Sequence, residues 1–160
     1  MYPRVGFGYD IHRLEAGRRL VIGGTEIPWT KGCAGHSDGD PLIHAICDAM
    51  LGAAGAGDIG THFPDNSEEF KDIDSRILLS KTVDIIAVAG YRVIQADSTV
   101  CLEKPKIALF IPSMVKQIAM TLGIQEGQLS VKAKTGERIG FVGREEGVAA
   151  YAVVVLEKIN

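Results

Sequence analysis

Asp10 and His12 stand two residues apart in the alternating run Val5-Gly6-Phe7-Gly8-Tyr9-Asp10-Ile11-His12. Side chains two apart on an extended strand point to one face, so a carboxylate and an imidazole project together. That pair suits a borderline cation such as zinc, and His44, on the helix expected further along, is the third candidate ligand. Three protein ligands, with a fourth position left to water or substrate, is the arrangement of catalytic zinc. Alone, Asp-x-His is a weak signal, because many such pairs are only surface polar residues. Its weight comes from the stretches that follow.

The run Gly35-His36-Ser37-Asp38-Gly39-Asp40-Pro41-Leu42-Ile43-His44 puts one histidine in a turn and another one turn inside a helix. Asp40 reads as the N-cap, with Pro41 at the first helical position. His44 and Asp48 are four apart and share a helix face, which makes Asp48 the expected carboxylate for orienting the His44 ring. The plainer alternative is a packed or solvated histidine, with Asp38 and Asp40 serving as turn and helix caps. Gly57-Asp58-Ile59-Gly60-Thr61-His62-Phe63-Pro64-Asp65 offers a carboxylate and loop amides to the hydroxyls of a polyol; otherwise it is a turn-rich connection. Leu102-Glu103-Lys104-Pro105-Lys106-Ile107 ends a strand, where backbone groups can read a base edge and Lys106 can meet a phosphate. In Lys134-Thr135-Gly136-Glu137, Thr135 can donate to a phosphate oxygen and Glu137 can hold a hard cation such as Mg²⁺. Arg144 can make the forked contact that suits phosphate; the alternative for this whole region is a charged hairpin loop.

These residues need a scaffold of about one domain, and the chain has 160 residues. It is 46% hydrophobic and 23% charged, enough for an ordinary core. A formal charge of −3 without a basic block argues against nucleic acid as a partner. No apolar run is long enough for a membrane span, and no signal-peptide pattern opens the sequence. Three dispersed cysteines, Cys33, Cys47 and Cys101, point to a reducing cytoplasm rather than a disulfide framework. A plastid-type organelle is the alternative, if a transit segment has been removed.

Strands are expected over the Asp-x-His run, Tyr91 to Leu102, Leu129 to Lys134 and Val148 to Leu156. A hairpin is expected around Gly23-Gly24, and helices from Asp40, from about Asp74 to Gly90, and over Pro112 to Leu122. Ile94, Ala96, Ser98, Val100 and Leu102 should share one face of their strand. The small residues Ala45, Ala49, Ala53 and Ala54 suggest a helix that packs closely on its neighbour. Gly55 to Lys71 reads as a functional or mobile loop. The expected fold is α+β: a single domain with a mixed sheet and helices packed on one face. HExxH, P-loop and Rossmann motifs are absent, and echoes of the penicillin-binding motifs occur in the wrong order.

Taken together, the motifs resemble the 2-C-methyl-D-erythritol 2,4-cyclodiphosphate synthase family from nearly end to end. The resemblance rests on Gly8-Tyr9-Asp10-Ile11-His12, Ile22-Gly23-Gly24, His36-Ser37-Asp38-Gly39-Asp40, the Asp48 to Gly60 region, Phe63-Pro64-Asp65, Asp74-Ser75-Arg76, Pro105-Lys106 and the run from Gly140 to Gly147. It implies conversion of 4-diphosphocytidyl-2-C-methyl-D-erythritol 2-phosphate to the cyclic diphosphate with release of CMP. It also implies a homotrimer with sites between adjacent subunits. Asp10, His12 and His44 match the zinc ligands, and Glu137 matches the residue at a second divalent ion, Mg²⁺ or Mn²⁺. His36 and Thr135 match transition-state-stabilising positions. Asp58-Ile59-Gly60 and Phe63-Pro64-Asp65-Asn66-Ser67, with Ser37, match the methylerythritol pocket. Leu102 to Ala108 matches the cytidine strand, and Phe141 and Arg144 match further substrate contacts. Lys134 and Gly136 depart from the Thr-rich approach common at the second ion, while Thr135 and Glu137 keep it. A zinc-dependent phosphohydrolase and a non-catalytic cytidine-nucleotide sensor remain as other readings of the same residues.

Overall fold

Alternation along the first strand decides how the helices can sit. In the computed structural model, which describes residues 2–159, β1 (Arg4–Ala16) buries Gly6, Gly8 and Leu14 on one face and exposes Val5, Phe7, Tyr9 and Ile11 on the other. Asp10 and His12 share the buried parity. A short hairpin follows, β2 (Leu20–Ile22) paired antiparallel with β3 (Thr25–Ile27), then β4 (Lys31–Cys33). α1 (Pro41–Ala54) comes next, followed by the single-turn α2 (Ile59–His62), α3 (Ser75–Val88), β5 (Tyr91–Cys101), α4 (Ile111–Leu122), β6 (Leu129–Lys134), the single-turn α5 (Gly140–Gly143) and β7 (Gly147–Lys158).

The main sheet runs β4-β1-β7-β5-β6, antiparallel except for the parallel β5–β6 pair that α4 bridges. The mixed sheet matches the sequence expectation. The apolar β7 takes the middle place, pairing Asp10 with Ala150 and His12 with Val148. Because β5 lies between β6 and β7, the segment joining those two is not a hairpin loop. In β5 an irregularity between Val93 and Gln95 displaces Ile94, so Val93 rather than Ile94 continues the buried row of Ala96, Ser98 and Val100.

Asp40 starts α1 as expected and also anchors the hairpin. Its Oδ1 accepts from Leu42 and Ile43 N–H at 3.1 and 3.0 Å and from Gly23 N–H at 2.9 Å, while Oδ2 accepts from Gly24 N–H at 2.6 Å. The carboxyl is fully buried, and burial pushes it up to about 6 against those N–H groups, which favour the ion. Gly55, in the left-handed conformation, closes the helix.

Glycine and alanine together set the seat of α1. An added Cβ on Gly8 would lie 1.9 Å from the Ala45 carbonyl oxygen, and one on Gly6 1.9 Å from that of Ala49. Helix backbone therefore rests directly on strand backbone. Four helical residues rise about 6 Å and two strand residues about 6.7 Å, so the i, i+4 row of alanines keeps step with the i, i+2 row of glycines. The next step along β1 is Asp10, and His44, the residue before Ala45 in the first turn of α1, lies beside it. Leu42, Ile43, Ile46, Met50 and Leu51 are fully buried, each contributing about 1.5–3 kcal/mol of apolar transfer. The opposite sheet face stays open, with Phe7 and Tyr9 ring centroids 6.5 and 5.1 Å from that of Tyr151.

Candidate metal centre and its cavity

Three donors meet where β1 passes the first turn of α1. Asp10 Oδ2 lies 2.7 Å from His12 Nε2 and 3.2 Å from His44 Nδ1, and the two ring nitrogens are 3.2 Å apart. Ligands of a tetrahedral zinc with bonds near 2.0 Å stand about 3.3 Å from one another, so this triangle approximates one face of that polyhedron. Two imidazoles and a carboxylate are also the donor type of catalytic zinc, and the residues fit such an ion. His12 Nδ1 donates to the Ala34 carbonyl at 2.6 Å, which leaves its Nε2 lone pair for a cation. Burial works to raise the Asp10 carboxyl, but the two imidazoles beside it, His12 and His44, outweigh it and hold it at about 2. Burial also opposes charge on His12, and Asp10 overrides it, raising the imidazole above its ordinary value.

The triad lines a cavity of about 480 Å³. His36 and Ser37 enter it from the loop before α1, and Ile59, Gly60 and the run from Phe63 to Asn66 enter from α2 and the loop after it. Asp58 caps α2, taking the Thr61 N–H at 2.8 Å and its hydroxyl at 2.7 Å, and the Thr61 hydroxyl holds the Asp58 carboxyl below its usual range. His36 Nε2 donates to the Ser67 carbonyl at 2.8 Å and so ties this loop down. Phe70 and Leu78 complete the apolar wall, and neither was legible as a site residue from the sequence.

The remaining candidates form a second group outside that lining. Leu102 N–H donates to the Lys134 carbonyl at 2.8 Å, Gly136 N–H to the Glu103 carboxylate at 2.9 Å, and the Thr135 hydroxyl to Glu137 Oε1 at 2.9 Å. Leu102 and Ile107 are buried. Lys104 pairs with Glu145 at 3.1 Å and Arg144 with Glu146 at 2.9 Å, while Pro105 and Lys106 lie in the turn between. Glu137 and Arg138 both take positive φ, 51° and 64°, a sparsely populated region for side chains of this size. The Phe141 ring packs where a side chain on Gly147 would otherwise sit.

One expected contact is absent. Asp48 does not orient His44: its carboxylate accepts the Ile59 N–H at 2.8 Å instead, because the chain folds back at the start of α2. His44 Nε2 faces Ser75 Oγ at 2.9 Å and Ser37 Oγ at 3.2 Å. Ser75 belongs to the Asp74-Ser75-Arg76 motif, but nothing local in the sequence shows that the first residue of α3 reaches α1.

The model of the YgbB family matches residues 3–157. The chain is similar to the 2-C-methyl-D-erythritol 2,4-cyclodiphosphate synthase of Bacteroides fragilis, 53% identical over 159 residues, covering 99% of this chain and all of the relative. Among solved structures it is similar to the bifunctional IspDF of Campylobacter jejuni, with TM-score 0.95 and 40% identity, covering 99% of this chain and 43% of that longer one. It is also similar to the CDP complex of IspF from Plasmodium falciparum, with TM-score 0.86 and 35% identity, each chain covered in full.

Proposed function

The chain belongs to the YgbB family, and from that premise we propose how its residues serve the reaction. The protein converts 4-diphosphocytidyl-2-C-methyl-D-erythritol 2-phosphate to 2-C-methyl-D-erythritol 2,4-cyclodiphosphate and releases CMP, as a phosphorus–oxygen lyase of non-mevalonate isoprenoid biosynthesis. The observation that carries this is 53% identity along the entire length of a synthase of that name.

In the reaction an oxygen of the 2-phosphate bonds to the β-phosphorus, and the bond from that phosphorus to the bridging oxygen breaks. CMP leaves with the bridging oxygen and its electron pair. Intramolecular attack needs no protein nucleophile, so the protein's work is positioning and charge stabilisation. Asp10, His12 and His44 would hold zinc and Glu137 a Mg²⁺ or Mn²⁺; when bound, these ions neutralise and orient phosphate oxygens. Asp58, Ile59, Gly60 and the loop from Phe63 to Ser67 form the pocket for the erythritol hydroxyls. His36, already fixed by Ser67, keeps that loop in place and presents its ring to the phosphates. Leu102 to Ala108 reads cytosine through main-chain groups, with Lys104 and Lys106 near the nucleotide phosphates. Thr135 donates to a phosphate oxygen, with Lys134 and Gly136 shaping the turn around it. Phe141 and Arg144 contact the nucleotide.

Two clusters with separate linings suit a homotrimer in which one subunit's triad faces a neighbour's nucleotide-binding turns. The open apolar face of Val5, Phe7, Tyr9, Ile11, Tyr151 and Val153 supports that assembly. No helix among the described residues is long and apolar enough to cross a membrane, and with three free cysteines this favours the cytoplasm. The test is chromatography of the products from the diphosphocytidyl substrate with zinc and Mg²⁺. CMP without orthophosphate is expected, and His44→Ala should lose both bound zinc and CMP release. Orthophosphate release would instead mark a phosphohydrolase, and intact substrate with bound nucleotide a sensor.

A further inference from the structure

We propose that Ser75 and Asp38 are positioning residues that fix the proton of His44 on Nε2, and with it the ring, so that the Nδ1 lone pair is presented to the cation. The inference rests on the metal-binding role of the Asp10–His12–His44 triad and adds the device that prepares one of its ligands.

The direction of each hydrogen bond follows from what surrounds it. Asp38 Oδ1 lies 3.2 Å from the Asp40 N–H and Oδ2 lies 3.0 Å from the Ser75 N–H, so both oxygens already act as acceptors. Ser75 Oγ makes a short contact to the same Oδ1, and between an acceptor and a hydroxyl only the hydroxyl can donate. With its single proton committed to Asp38, Ser75 Oγ turns a lone pair toward His44 Nε2 at 2.9 Å. Toward Ser75, Nε2 is then the donor, and in a neutral imidazole that leaves Nδ1 bare. Nδ1 is the atom 3.2 Å from both Asp10 Oδ2 and His12 Nε2.

The relay has a place in the fold that makes it rigid. Ser75 is fully buried at the first position of α3, and Asp38 lies in the loop before α1. The Asp38 N–H donates to the Ile73 carbonyl at 3.1 Å, and the Asp72 N–H to the His36 carbonyl at 2.7 Å, so two backbone bonds clamp the loops that carry the relay. Ser37 Oγ is the competing partner, farther from Nε2 at 3.2 Å and itself accepting from the Gly39 N–H at 3.3 Å. A partner on the distal nitrogen of a metal-binding histidine typically changes metal affinity roughly 10–100-fold.

Two readouts test this without relying on turnover. Long-range ¹⁵N–¹H NMR of metal-free protein at pH 8 reads the His44 tautomer, and competition with a chromophoric chelator reads zinc affinity. The expected result is an Nε2-protonated His44 before metal is added. Ser75→Ala should bind zinc roughly 10–100-fold more weakly and show mixed tautomers, while Ser37→Ala keeps the wild-type tautomer. An Nδ1-protonated His44 in the metal-free wild type would overturn the proposal, even if Ser75→Ala failed to fold. Wild-type affinity in a folded Ser75→Ala would overturn it as well. Failure of the wild type to bind zinc would instead remove the metal role of the triad, a separate outcome that the tautomer spectrum does not share.

Discussion

Gly8→Ala should destroy the metal centre without touching a ligand. The added methyl carbon would lie 1.9 Å from the Ala45 carbonyl oxygen and 2.7 Å from the Ala49 nitrogen, both helix backbone atoms with no rotamer to yield. Restoring an ordinary contact near 3.4 Å requires α1 and β1 to part by about 1.5 Å. Metal–ligand distances tolerate only about 0.2 Å, so moving the helix that bears His44 from the strand that bears Asp10 and His12 dismantles the triangle. Overpacking against backbone should cost about 3 kcal/mol, or roughly 6–12 °C in melting temperature, with zinc affinity lower by at least about 100-fold. Gly52→Ala is the matched control on the same helix. An added Cβ there meets nothing within 4 Å, and the change should be neutral or stabilising by up to about 1 kcal/mol. The assay is a chelator-competition titration beside a thermal melt of the metal-free protein. Wild-type zinc affinity and melting temperature in Gly8→Ala would refute the view that the glycine row sets the position of His44.

Asp40→Ala strips the acceptor from four backbone N–H groups and should destabilise the protein by at least about 3 kcal/mol, read by denaturant unfolding; a loss near the 1 kcal/mol of an ordinary exposed cap would contradict its double role. Glu137→Gln should lower turnover by about 100-fold or more and flatten its dependence on Mg²⁺ while zinc content stays at the wild-type level, and unchanged Mg²⁺ dependence would remove Glu137 from the second ion site. Tyr151→Asp puts a charge in the middle of the open sheet face and should give a smaller, inactive species by sedimentation; a particle of wild-type size would show that this face is not the subunit contact.

The parts of this fold legible in the sequence are those written locally. Asp40-Pro41 marks the start of α1 because capping geometry involves neighbours a few residues away. The Asp-x-His pair declares its common face because a strand repeats every two residues. The alanine row foretold close packing, yet Gly6 and Gly8 looked like ordinary strand positions until the helix was seen resting on them. His44 and Asp48 do share a helix face, as their spacing says, but which polar group each side chain meets depends on distant chain. Asp48 met Ile59, and Ser75 came to His44 from 31 residues away. Ile94 lost its place in the buried row to an irregularity of the β5–β7 ladder, which no alternation within one strand encodes. The parting of the candidates into a group at the triad and a second group around Leu102 to Ala108 and Lys134 to Glu137 follows from strand order, which local patterns do not carry.

Phosphorus NMR of the protein with 4-diphosphocytidyl-2-C-methyl-D-erythritol 2-phosphate, taken first metal-stripped and then after zinc and Mg²⁺ are restored, tests the central claim most directly. The expected spectra show unchanged substrate before restoration, and afterwards a cyclic diphosphate rising in step with CMP. Cyclic product at full rate from the stripped protein would contradict the role given to Asp10, His12 and His44, and an orthophosphate signal in place of the cyclic one would contradict the reaction itself.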